Sequence, residues 1–251
     1  MMDVFPNTST ERQSAKDMRS WILRTFKSRS LDLMKTTWKS LVLPILDYCS
    51  RLWCPIKPSQ IKQLESIQQS FTRKIRGTGS SNYWERLSHF KTYSLERRRE
   101  RYRILYIWKI IESHFPNIPC EGDRGMKKLH SLRNGRSCFI PLIKASTPPK
   151  LQSLREASLA HHGAQLFNSL PKEFRDLTDC SMLFFKNKLD KFLSRIPDEP
   201  SVDGYTSGRQ ATSNSLLHQI PLFIRNERNQ PLRNRDAPAS RRWSQPEVYE
   251  K

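Results

Sequence analysis

Five arginines crowd one short stretch, Arg97, Arg98, Arg99, Arg101 and Arg103 in SLERRRERYRILYIWKII, residues 94 to 111. A guanidinium fork matches the oxygens of a phosphate, and a helix N-terminus offers the same anion backbone N–H donors. Read as a helix, the stretch masses its guanidiniums at the end where the dipole is already positive and Asp or Glu is favoured. Glu96 and Glu100 offset part of the repulsion, each exposed pair contributing roughly 0.2–0.5 kcal/mol. The chemistry on offer is therefore the binding of a polyanion, the competing reading being a solvated basic end with local ion pairs.

Two further groups of cations support it. Arg73, Lys74 and Arg76 lie in the last turns of the preceding helical pattern, where cations also satisfy carbonyl dipoles and so speak only weakly for phosphate. Lys127, Lys128, Arg133 and Arg136 fall in a basic loop. Tyr102, Tyr106 and Trp108 could stack on bases, a contact of roughly 1–3 kcal/mol on single strands. Their helical spacing points to a core instead.

Other chemistry finds little support. His161 and His162 are adjacent, about 100° apart on a helix, and so unlike the i, i+4 spacing of a zinc protease. The Gly77-Thr78-Gly79 turn is followed by neither a third glycine nor a Lys-Ser/Thr signature, and no G-x-S-x-G elbow occurs. Five cysteines, none in C-x-x-C, support neither a disulfide framework nor a zinc knuckle; a reducing compartment is expected, with Cys49 and Cys54 as small buried apolar residues. No metal or cofactor is implied.

The elements that must position these residues read as helices. Met18, Trp21, Ile22 and Phe26 share a face from about Ala15, after a loose polar lead. Ser30 caps a second pattern over 31–53, which Pro44 should kink or split. Ile61, Leu64, Ile67, Phe71 and Ile75 mark a third helix from Ser59, with Gly77 as its stop. Asn82 with Glu85 resembles a capping box for a short helix, and Ser94 caps the arginine-rich one, whose second half is apolar nearly all round. Prolines and glycines exclude long elements between 113 and 150, leaving one short edge strand over 137–143. Helical spacing returns at 153–169 and 181–195.

Only eight glycines against sixteen prolines fit an all-α irregular helical bundle with proline-punctuated connectors. The expected units are a helical domain over 15–112, a basic connector over 113–150, a small helical unit over 151–196 and a mostly disordered tail over 197–251. In that tail the apolar run Leu216, Leu217, Ile220, Leu222, Phe223 and Ile224 could dock back or serve a partner. The net charge of +20 resides in the body, with 36 Lys/Arg against 17 Asp/Glu before Pro197 and eight against seven from there on. Such a balance fits nucleic acid better than an anionic membrane. The N-terminus lacks an apolar signal core, and no stretch approaches about 18 uncharged apolar residues, so an intracellular protein of nucleus or cytoplasm is expected.

Six strings taken together carry a resemblance. TWKSLVLPILDYCSRLWCP (37–55), IKQLESIQQSFTRKI (61–75), YWERL (83–87), YSLERRRERYRILYIWKI (93–110), REASLAHHGAQLFNSLP (155–171) and FKNKLDKFL (185–193) resemble, in order and spacing, the C-terminal region of jockey-like non-LTR retrotransposon reverse transcriptases. The resemblance implies a helical thumb and trailing region, gripping template and primer beyond the polymerase palm of an RNA-directed DNA polymerase. Such a palm needs an aromatic-x-Asp-Asp turn to hold two Mg²⁺ ions, and this chain has no Asp-Asp pair. The expectation is a noncatalytic fragment that binds RNA or DNA backbone without reading sequence. Its alternative is a helical interaction module docking on a missing polymerase palm or another protein.

Overall fold

The computed structural model describes residues 8–48, 50, 54–55, 57–78, 80–112, 129–132, 135–199 and 214–229. The chain is all-α apart from one hairpin. Helix α1 (Thr8–Thr25) begins seven residues before Ala15, so part of the expected polar lead is helical. Arg12 bonds Gln63 and Arg19 bonds Ser70, each pair 51 residues apart, which sets α1 alongside and parallel to α4 (Pro58–Thr72). Between them α2 (Leu31–Thr37) runs into a π-helical turn, Trp38–Val42, and then into α3 (Leu43–Asp47). The break expected at Pro44 thus takes the form of i→i+5 bonding just before a residue that has no N–H to donate.

Helix α5 (Tyr83–Phe90) carries the expected capping box, with Glu85 N donating to Asn82 Oδ1 at 2.8 Å and Asn82 N to Glu85 Oε2 at 3.1 Å. Gly77 ends the preceding segment at φ 83°, a left-handed conformation that costs glycine little. Helix α6 (Leu95–Ile111) is capped by Ser94, whose hydroxyl accepts from Arg97 N at 3.2 Å.

Strands β1 (Leu129–Leu132) and β2 (Gly135–Cys138) pair antiparallel, Leu129 opposite Cys138. The strand expected over 137–143 therefore ends at Cys138. There the Asn168 amide takes over the pairing, accepting from Cys138 N at 2.7 Å and donating to its carbonyl at 2.9 Å.

The helix expected over 153–169 is broken. Helix α7 (Pro149–Ala157) stops where Ser158 turns extended, a π-helical turn spans Leu159–Gly163, and α8 (Ala164–Ser169) continues. Short α9 (Lys172–Arg175), α10 (Met182–Leu193) and α11 (Leu216–Asn229) follow. Helix α11 corrects the expected disorder at 216–229, while 200–213 and 230–251 lie outside the described residues.

Two cores result. The first gathers Ile22, Met34, Trp38, Leu64, Ile67, Phe71 and Phe90, with the Trp38 and Phe71 rings 4.8 Å apart. The second gathers Ile104, Ile107, Trp108, Phe167, Phe185, Leu189, Leu216 and Ile220, with Trp108 stacked on Phe185 at 4.5 Å. Each large side chain so buried stabilises by roughly 1.5–3 kcal/mol. Helix α6 belongs to both, through Leu95 in the first and Tyr102 to Ile110 in the second. Among the described residues no helix is long and apolar enough to cross a membrane.

Candidate nucleic-acid interface

The five arginines of α6 are inside the protein. Arg97, Arg101 and Arg103 have no exposed surface, and Arg98 and Arg99 keep at most 9%. Interior guanidiniums must find acceptors, and three of these find them at the C-terminal ends of other helices. Arg99 donates to the Leu46 carbonyl in α3. Arg103 donates to the Ala157 and Ser158 carbonyls where α7 breaks, at 2.8 and 3.4 Å. Arg97 donates to the Ile196 and Pro197 carbonyls just beyond α10, at 2.6 and 2.7 Å. A helix C-terminus carries unpaired carbonyls and negative dipole, so a cation there is favourable.

Carboxylates from distant segments supply the remaining charge balance. Arg101 grips Asp190 with two bonds at 2.5 and 2.8 Å, Arg98 pairs with Asp47 at 2.9 Å, and Arg97 lies 3.3 Å from Asp198. Asp198 also accepts from the Ser94 N–H and hydroxyl, at 2.7 and 2.8 Å, and so places an acid on the α6 N-terminus. The Glu96 N–H donates to Glu65 at 2.9 Å. The compensation sought in an external polyanion is internal. The expectation that Arg97, Arg98, Arg99, Arg101 and Arg103 are the main phosphate contacts is corrected accordingly.

Glu100 works in the opposite sense, accepting from the Ser215 hydroxyl and Leu216 N–H, both at 2.6 Å, at the start of α11. Burial pushes its carboxyl up to about 7 against the pull of these donors and of Arg97 and Arg103. Beside it His162 accepts at Nδ1 from Arg103, 3.1 Å away, which leaves its proton on Nε2, 3.7 Å from Glu100. Burial, then the charges of Arg103 and His161, hold His162 neutral by lowering it to about 3. His162 is thus part of the α6 network.

Arg136, the described member of the connector group, is also engaged. It donates to the Arg175 and Leu177 carbonyls at 2.8 and 2.6 Å and to Glu112 at 2.8 Å. Lys127, Lys128 and Arg133 lie outside the described residues. Tyr102 and Trp108 are core residues and Tyr106 is half-buried against the second core, as their spacing indicated.

Arg73, Lys74 and Arg76 are exposed. They project where α4 ends, and the Arg76 N–H donates to the Arg29 carbonyl at 2.9 Å, so the turn after α1 abuts them. Arg24 and Lys27 are exposed at that neighbouring end. Arg29 folds back to donate to the Leu23 and Phe26 carbonyls, closing α1. Two parallel helices thus end side by side and present five cations, Arg24, Lys27, Arg73, Lys74 and Arg76, none in an ion pair among the described residues. Nothing local in the sequence announces that the 51-residue register brings the α1 cations beside the α4 group.

No family model matches the chain, and neither does a curated protein or a solved structure.

Proposed function

We propose that the chain is a noncatalytic nucleic-acid-binding segment that holds the sugar-phosphate backbone of RNA or DNA at the paired C-terminal ends of α1 and α4. The observation that carries this reading is the group of exposed, acid-free cations Arg24, Lys27, Arg73, Lys74 and Arg76, in a chain of net charge +20. Contacts of lysine and arginine with phosphate give affinity without sequence readout. Helix α6 is then the scaffold that fixes α4 and α5, and its arginines take no direct part. The resemblance to the post-palm region of retrotransposon reverse transcriptases supports the same assignment, with a polymerase palm as a further partner and nucleus or cytoplasm as the place of action.

The test is retention of a primer–template duplex between about 50 and 200 mM salt, where a log–log slope of several units is expected and a slope near zero rejects the reading. The triple variant R73E/K74E/R76E should lose retention while keeping its helical content.

One observation favours a protein-docking role. Leu183 and Phe184, at the start of α10, are 63% and 54% exposed, an apolar pair open to solvent. Duplex retention unaffected by the triple variant, together with self-association abolished by L183E/F184E, would favour that role.

A further inference from the structure

Trp21 stands where the helical spacing does not put it. That spacing assigns Met18, Trp21, Ile22 and Phe26 to one apolar face of α1, yet Ile22 is fully buried, Met18 and Phe26 pack against the first core, and Trp21 is 46% exposed. Trp38 and Trp108 have no exposed surface and Trp84 is half-buried, so Trp21 is the most exposed tryptophan among the described residues. Its ring meets Phe26 edge to face, with centroids 6.1 Å apart and planes at 88°. Phe26 is itself seated on the core, so the indole is steadied without being covered.

The charge around this ring is polarised along α1. Arg24 stands three residues on, and both side chains are exposed. Positions three apart on a helix have Cβ atoms about 5–6 Å from each other, comparable to the reach from a base to the phosphate of its own nucleotide. Beyond Arg24 come Lys27 and, across from the end of α1, Arg73, Lys74 and Arg76. On the other side Asp17 lies one turn back, accepting from Gln13 at 2.9 Å. Phosphates are thus drawn from Trp21 towards the helix ends and repelled from the middle of α1. A ring beside phosphate-binding cations is the combination that holds unpaired nucleotides: the cations take the backbone, and the ring stacks on a base without regard to sequence. Paired bases, already stacked on one another, offer the ring nothing.

We propose that Trp21 is a stacking platform for an unpaired base, and that the basic helix ends therefore take single-stranded nucleic acid, such as the overhang of a primer–template, in preference to blunt duplex. The inference rests on the reading above and names the form of nucleic acid it applies to. Arg24 and Lys27 hold the phosphates next to the stacked base, and the α4 cations hold those that follow.

The experiment titrates the full chain with a short labelled single strand and with a blunt duplex of the same sequence, comparing wild type, W21A and W21F. W21A should weaken the single strand about 5- to 150-fold, the loss of one base stack. Its salt slope should match wild type, since no phosphate contact is removed, and its duplex affinity should be unchanged. W21F keeps a ring and should recover most of the single-strand affinity, while losing most of the tryptophan quenching that the strand causes in wild type; this arm decides should W21A lose helical content. Single-strand affinity unchanged in W21A, or quenching that persists in full in W21F, overturns the platform. Self-association broken by W21A with single-strand affinity intact also overturns it, in favour of a protein contact. Wild type that retains neither single strand nor duplex overturns the nucleic-acid reading and the platform with it, whereas duplex retention sensitive to R73E/K74E/R76E beside a silent W21A overturns the platform alone.

Discussion

Asp198 closes the N-terminus of α6 from 104 residues away, taking the Ser94 N–H at 2.7 Å and the Ser94 hydroxyl at 2.8 Å. Asn214 donates to the same carboxylate at 2.7 Å, and Arg97 lies 3.3 Å from it. One acid therefore serves a helix cap, a buried guanidinium and the approach to α11. D198A removes all three and strands Arg97, so it should cost about 3–5 kcal/mol in urea unfolding. A loss below about 1 kcal/mol would show the cap to be dispensable.

Arg101 and Asp190 form a buried bidentate pair, 1% and 12% exposed at their side chains. D190A leaves an uncompensated charge in the core and should destabilise by about 3–5 kcal/mol, whereas R101M/D190L should recover most of that loss. Equal destabilisation of the single and double variants would mean that packing, not charge, dominates at this site.

Gly163 meets α6 closely. A Cβ there would lie 2.9 Å from Leu159 Cδ1 and 3.1 Å from Ile107 Cγ1. G163A should therefore cost about 1–3 kcal/mol through overpacking, read as a lowered melting temperature. A variant as stable as wild type would show that the π turn yields.

Stability should fall on both sides of mildly acidic pH. Burial raises Glu65 and Glu100 to about 7, and burial with the neighbouring acids Glu100, Glu65 and Asp198 raises Glu96 to about 9. A carboxyl raised in the folded state binds more protons there than when unfolded, so its contribution is complete below about pH 4.5 and is lost as pH climbs through 7 to 9. His162, lowered to about 3, contributes above about 6.5 and loses that contribution as pH falls towards 3. Melting temperatures across pH 4 to 9 should show the alkaline decline, and E65Q should flatten it. A flat profile in wild type would contradict the buried-carboxyl account.

What the sequence disclosed was local. The Asn82–Glu85 box, the Ser94 cap, the Gly77 stop and the break near Pro44 each rest on residues within a few positions of one another, and all four are present. The fate of the arginines was not legible, because the acids that pair with Arg98 and Arg101, Asp47 and Asp190, lie 51 and 89 residues away, and Asp198, beside Arg97, lies 104 residues from the Ser94 it caps. A window the length of a helix sees five cations and two glutamates and infers an outside partner. Ser158 was equally opaque: the spacing of Leu154, Leu159 and Leu166 continues across it, while Ser158 caps the next turn by accepting from His161 N and the broken end presents the Ala157 and Ser158 carbonyls to Arg103.

The order in which a ribosome delivers these groups follows from the same separation. At about 5–20 residues per second, the guanidiniums of α6 emerge roughly 5–20 s before Asp198. Until then Arg97 stays hydrated, and the half of α6 that faces the second core has no wall to close against. The N-terminal core can assemble as it is made; the other must wait for α10 and α11, and a nascent chain stalled before Asp190 would hold Arg97 and Arg101 without their acids, two positive charges within reach of ribosomal RNA.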